Sequence, residues 1–564
     1  MDTEEAAAEL AGRDVNRECD RATFAVLHQL QTVNLHVQAY RLIDEVAREE
    51  EQRAIEAQRL QRPVRMVFCQ LNSDDHRQYN VATAKEVAVV YVGSDEEIPG
   101  EGYVVVYERG QGLRTISYLN RLCDPLSYPI LLPRGEDGWH PDMEKTVAGN
   151  NRRTRVTEKE FYSYLLFART GTFNPLLHAG KLSQQYVVGS WLKIGMNHLN
   201  YLRKNQKELR LDTVRGLHDY MIGDDTHDGP PGRRIIPAAI FTGGPRHMIA
   251  QYQDAMSNVS NYGKPDIFLT FTCSSNWREI QNNLAGGQSA SNRPDLVTLV
   301  FNLKLKALCH ELLPKNVLGE VVAYIYVAEF QKRGFPHVHM LLTTKQKWKL
   351  NNADQIDQLI SAELPDPDSD PELFDIVSKN MIHRPCGNLN PTSPCMRDVV
   401  CTKRFPKSFR SDTSLNVDGY PDYKRRDDER YVTCRGVRMD NRSVVPYCAY
   451  LTRMFEAHTN VGICALIHAV KYLFKYGYKG PDRARIHIYQ PNNDAAETVR
   501  DEIEAYIDAR YVCAPEAVHR ILGFKMHGRS DAVQRLQVHL PGFEALTFKA
   551  GAVNHKHLMP LKIG

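Results

Sequence analysis

Between residues 265 and 344 the hydrophobic period changes twice, and that change limits the fold more than any other feature of the chain. The segment PDIFLTFTCSSNW, residues 265–277, places five β-favouring residues in succession, Ile267 to Phe271, before a polar turn. A short apolar run bounded in this way reads as a buried strand that ends at a functional edge. The next segment, RPDLVTLVFNLKLKALCHELL, opens with Pro294 and Asp295 in helix-start positions and carries apolar residues at helical spacing. GEVVAYIYVAEFQKRGFPHVHMLLTT then gives two strands, residues 320–331 and 336–343, joined by a turn at Arg333 and Gly334. Strand, covering helix and hairpin predict an α+β fold with an antiparallel sheet.

The rest of the chain is organised around this unit. Residues 1–60 are a charged, helical, partly disordered N-terminus with 13 acidic and 7 basic side chains, so residues 61–564 carry +9 within a chain total of +3. That excess permits a polyanionic partner without requiring one. Residues 61–150, with the runs VRMVFCQL, VAVVYVG and YVVVYERG, read as a small β-rich domain. Residues 155–350 are a helical region leading into the sheet. Residues 351–430 are a linker and a Cys/His loop, and residues 431–564 hold further helix. The acidic opening residues lack the order of a secretory signal, and no apolar run is long enough to span a bilayer, so a soluble intracellular protein is expected. The 12 cysteines then read as reduced thiols or metal ligands.

Three residue patterns carry chemistry. His337 and His339 stand two apart on a strand and so face one side. Glu329 and Gln331 share a face of the preceding strand, and hairpin pairing can bring either beside the histidines. Two imidazoles and one oxygen donor form a small open site suited to Mg²⁺ or Mn²⁺ acting as a Lewis acid on a phosphate. The second pattern is VGICALIHAVKYLFKYGYKG, residues 461–480, which reads as a helix stopping at Gly477. Tyr472 and Tyr476 are four apart on one face, beside Lys471 and Lys475, an arrangement that offers a phenol nucleophile with lysines to hold phosphate or lower its pKa. The third is MIHRPCGNLNPTSPCMRDVVCTKRFPKSF, where His383, Cys386, Cys395 and Cys401 suit a closed structural Zn²⁺ site, although the spacing is not that of a standard zinc finger. Lys403, Arg404 and Lys407 follow directly, and a zinc loop would hold them against DNA. Each pattern alone also fits a bland role: two unremarkable histidines on a half-buried strand, a core aromatic stripe, free thiols.

Together these segments resemble the N-terminal, Rep-like region of Helitron rolling-circle transposases, which belong to the HUH endonucleases. The likeness is carried by NPLLHAGKLSQQYVVGSWLKIGMNHLNYLRKNQKELR, GRRIIPAAIFTGGPRHMIAQYQDAM, YGKPDIFLTFTCSSNW, VAEFQKRGFPHVHMLL, the Cys/His segment, VVPYCAYLTRMFEAHTNVGIC and HAVKYLFKYGYKG. It runs from about residue 123 to about residue 540. The resemblance implies an HUH core with helical elaborations and a small zinc-loop insertion. It also implies a metal site of His337, His339 and Glu329 or Gln331, with Glu329 favoured, and Tyr472 and Tyr476 as paired catalytic tyrosines. The expected activity is nicking and transfer of single-stranded DNA at transposon ends and target, with a 5′-phosphotyrosine and a free 3′-hydroxyl as products, in a protein with access to the nucleus. No phosphate-cradling G-x-x-x-x-G-K-[ST] run occurs, so helicase activity is expected from a partner in trans or from residues beyond this chain. The alternative is a non-catalytic DNA-binding protein that retains the fold.

Overall fold

The computed structural model describes residues 25, 34, 48–59, 64–68, 89–92, 104–106, 119–146, 154–204, 245–330, 334–398, 400–415, 421–464 and 512–531. The three apolar runs near the N-terminus become strands β1 (Val64–Phe68), β2 (Val89–Val92) and β3 (Val104–Val106), which pair antiparallel in the order β2-β1-β3. Helices α1 (Glu158–Leu165), α2 (Lys181–Lys204) and α3 (Pro245–Tyr262) follow. A capping box starts α1: the Thr157 side chain accepts from the Glu160 amide, and the Glu160 carboxylate accepts from the Thr157 amide.

The centre of the molecule is a five-stranded sheet. It comprises β4 (Ile267–Thr272), β5 (Val321–Phe330), β6 (Pro336–Thr344), β7 (Thr459–Ile463) and β8 (His527–Arg529), in the order β7-β4-β6-β5-β8 with every neighbouring pair antiparallel. Helix α4 (Pro294–Leu312) covers one face: its Val297, Phe301, Leu305 and Leu308 join Ile267, Leu269, Phe271, Val338, Met340 and Leu342 in one buried cluster. Alternation along β4 decides this. The odd residues Ile267, Leu269 and Phe271 are buried there, and register sets Leu342, Met340 and Val338 directly opposite them. The fold is therefore α+β with an antiparallel sheet.

Even-numbered residues of β4 turn to the second face, with Phe268, Thr270 and Thr272 opposite Leu341, His339 and His337. Helix α3 covers the apolar end of that face, where Ala255 and Val259 pack with Phe268, Ile325, Leu341 and Cys464. The other end is polar. Helices α5 (Pro371–Asn380), α6 (Ala449–Phe455) and α7 (Ala514–Ile521) complete the framework. Ala517, Val518 and Ile521 of α7 pack with Tyr162, Tyr186 and Val187, and the Thr298 hydroxyl of α4 donates to the Pro515 carbonyl at 3.1 Å. At the sheet edge Gly528 lies opposite Tyr326, whose ring would be 2.0 Å from a β-carbon there, so only glycine fits.

One expectation is corrected. The helix expected from residue 461 does not begin there, because Thr459–Ile463 is strand β7, paired with β4. Thr459, Val461 and Ile463 are buried in alternation, and over five residues an apolar run of this kind fits either period until a neighbouring strand claims it. The remainder of that segment, with Lys471, Tyr472, Lys475 and Tyr476, lies outside the described residues, as does Gln331.

Candidate metal centre

Hairpin register sets Glu329 of β5 opposite His337 of β6, and Val327 opposite His339. Because His337 and His339 alternate with the buried Val338, both imidazoles stand on the face that α4 does not cover. Their Nε2 atoms are 2.9 Å apart, and Glu329 Oε2 lies 3.5 Å from the first and 3.9 Å from the second. The point equidistant from these three atoms is about 2.0 Å from each, the bond length of a small divalent ion to imidazole nitrogen or carboxylate oxygen. Each of the three side chains is 12% exposed, so the centre opens to solvent on one side. The donors thus fit a divalent cation with coordination positions to spare.

Neighbouring groups orient the donors. Thr270 Oγ1 lies 3.1 Å from His339 Nδ1, and the Phe268 ring stacks on the same imidazole at 5.5 Å. With Nε2 on a cation, Nδ1 carries the proton and donates it to the threonine, which fixes the tautomer. His458, just before β7, places its Nδ1 2.8 Å from the Asn380 carbonyl. Burial, then the proximity of His337, holds its pKa below the usual histidine value despite that hydrogen bond. Thr270 and His458 were not identified from sequence. Cross-strand register brings both to the centre, and no spacing motif marks either.

The Cys/His segment also converges. His383 Nε2 is 3.5 Å from Cys386 Sγ and 3.6 Å from Cys401 Sγ, and donor atoms of His383, Cys386, Cys395 and Cys401 all lie within 4.8 Å of one another. A tetrahedral ion with ordinary zinc–sulfur and zinc–nitrogen bonds requires a nitrogen–sulfur edge of about 3.6 Å. Burial, then the adjacent Cys401 and Cys395, pushes the Cys386 thiol up to about 12. Burial opposes ionisation of Cys401 too, but amides of Phe405 and Lys403 and the two neighbouring thiols outweigh it and lower its pKa. Crowded thiols of this kind become thiolates together when a cation offsets their charge. Phe405 stacks on His383 at 4.2 Å. Lys403 and Arg404 are exposed beside this knuckle, whereas Lys407 is half-buried with its ammonium 5.2 Å from the Phe405 ring. Burial first, then Arg425 and Arg404, lowers the Lys407 pKa.

Fold and site define a class: an α+β protein whose antiparallel sheet carries, on the face that α4 does not cover, a histidine pair and a glutamate that could hold a metal ion. Residues 161–342 match the family model of the Helitron helicase-like domain at N-terminus, which supports a Helitron-related protein. The match spans α1 to β6 and so contains Glu329, His337 and His339, while the Cys/His cluster, β7 and β8 lie beyond it. No curated protein matches the chain. Among the described residues, no helix is long and apolar enough to cross a membrane.

Proposed function

We propose that this protein is a metal-dependent single-stranded DNA endonuclease and strand transferase of a Helitron-like rolling-circle transposon. The observation that carries the reading is the placement of Glu329 Oε2, His337 Nε2 and His339 Nε2 around one point about 2.0 Å from all three. The family match over the same residues supports it. A bound Mg²⁺ or Mn²⁺ would withdraw electron density from a phosphate oxygen and so favour attack at phosphorus.

In this reading the phenolate of Tyr472 or Tyr476 attacks the phosphorus in line. The P–O3′ bond breaks, O3′ leaves and takes up a proton, and the downstream strand remains joined through its 5′-phosphate to tyrosine. Reversal by a 3′-hydroxyl rejoins DNA and releases the tyrosine, so the bond energy is kept. Lys471 and Lys475 hold the phosphate near the phenols. A zinc-held knuckle presents Lys403, Arg404 and Lys407 to the DNA backbone, and action in the nucleus with a helicase in trans, or in further residues of a longer protein, completes the proposal.

The test is incubation of labelled single-stranded oligonucleotides with the protein and Mn²⁺ or Mg²⁺, with EDTA, Tyr472→Phe, Tyr476→Phe and the double variant in parallel. A metal-dependent covalent adduct that the double variant lacks supports the reading. Binding without any adduct, in both metals and across varied sequences, replaces it with a non-catalytic DNA-binding protein.

A further inference from the structure

A cavity of about 640 Å³ opens beside strand β8, between α1, α2, α3 and α7. Its volume is that of a small-ligand site. The lining includes four cationic side chains, Lys159, Arg520, Lys525 and Arg529, and no carboxylate. Two of the cations are braced from behind: Arg520 donates to Glu516 at 2.8 Å, and Arg529 lies 2.7 Å from Asp254. The other two, Lys159 and Lys525, are exposed at the rim. Gly523, at φ +74°, leaves room for the Lys159 ammonium, which would be 3.1 Å from a β-carbon there. Trp191 forms an apolar wall, with the Arg520 guanidinium 5.6 Å from its ring. A flat aromatic surface among fixed positive charges suits a group that is planar at one end and anionic at the other.

The position of the cavity narrows the choice. His527 lines it, and register sets His527 opposite Val327, which is opposite His339. These three residues form one cross-strand row on the face of the metal centre. Two strand spacings put the cavity end of the row about 10 Å from His339. A chain with a phosphate at the centre reaches that far within one or two nucleotides.

We infer that this cavity binds a nucleotide of the single DNA strand flanking the phosphodiester at the metal centre, its base against Trp191 and its phosphate against Lys159, Lys525 and Arg529. The choice of DNA among polyanions rests on the function proposed above.

The experiment titrates the full chain with a fluorescein-labelled single-stranded oligonucleotide at several salt concentrations. It compares wild type with Lys159→Gln/Lys525→Gln, both at exposed positions, and with Trp191→Phe. Losing two phosphate contacts should weaken binding about tenfold at low salt and flatten the slope of log affinity against log salt by about 1.4. Mn²⁺ affinity, read by electron paramagnetic resonance, should stay unchanged. In a parallel titration with unlabelled oligonucleotide, tryptophan quenching should shrink in Trp191→Phe. An unchanged salt slope in the folded double variant overturns the inference, as does full quenching in Trp191→Phe. If wild type forms no covalent adduct while the slope still falls, the nickase reading fails and the nucleotide site stands.

Discussion

At the scale of single residues, the candidate metal centre depends on where one proton sits. His339 can offer Nε2 to a cation only while Nδ1 keeps its hydrogen, and Thr270 Oγ1, 3.1 Å away, stabilises that form. Thr270→Val should therefore lower Mn²⁺ affinity by about tenfold with the fold intact, and His339→Ala by more than about 100-fold. Calorimetric titration with Mn²⁺ checks both, and equal affinity in Thr270→Val and wild type would remove the threonine from the site. A second residue governs stability. Glu158, at the start of α1, is buried with its Oε1 lacking a hydrogen-bond partner among the described residues. Burial raises its pKa from 4.5 to about 7 against the opposing pull of Asn197 and Lys193. The folded protein thus holds this proton more tightly than the unfolded chain. That contribution is complete below about pH 4.5 and disappears as pH rises through 7, at a cost of at most about 3 kcal/mol. Glu158→Gln should flatten the fall in melting temperature between pH 5 and 8, and parallel wild-type and variant curves would show that the group contributes nothing.

At the scale of elements, the sheet is held in register by contacts that differ greatly in how visibly they are encoded. Strands β4 and β6 announce themselves through residues such as Leu269, Phe271, Val338 and Met340, whose alternation matches the burial found. The His337–His339 pair was legible for the same reason, since period two fixes its face before any partner is known. Strand β7 was not, because Val461 and Ile463 fit a helix until β4 supplies hydrogen bonds through Ile267 to Phe271. The three residues of β8 contain a glycine and two polar side chains and give no strand signal at all. Their place depends on Tyr326 of β5, which lies across Gly528. Gly528→Val sets a side chain into that ring and should displace β8, at a cost above about 2 kcal/mol. Chemical denaturation measures the loss, and a variant as stable as wild type would mean that β8 tolerates a shift away from β5. Because β8 also supplies His527 and Arg529 to the basic cavity, oligonucleotide binding should fall in the same variant.

At the scale of the whole molecule, the Cys/His knuckle is inserted between the two strands that flank β4, since the chain leaves β6 at Thr344, passes through the knuckle and returns as β7 on the other side of β4. What lies between is anchored independently of any ion. Leu364, Leu373, Val377, Met381, Val444 and Tyr447 form their own buried cluster, and buried Arg425 donates to the carbonyls of Ala362, Asn441 and Val444. Tyr447 pairs with Ser361 and again with Asn460 of β7, so the insertion is tied to the sheet at its base. Among the described residues, the knuckle itself, within residues 383–407, has only short pairings such as Met396–Arg397 with Val400–Cys401. Metal binding energy should therefore appear locally. The purified protein should contain one zinc per chain at this site, and Cys395→Ser should lose it. Proteolytic nicking within residues 384–404 should then accelerate about tenfold or more, because the ordered loop has little else to hold it. Mn²⁺ binding at Glu329, His337 and His339 should survive, since β6 pairs with both β5 and β4 irrespective of the knuckle. Loss of Mn²⁺ binding together with zinc would instead show that the knuckle supports the sheet through β7, and the two metal sites would have to be treated as one cooperative unit.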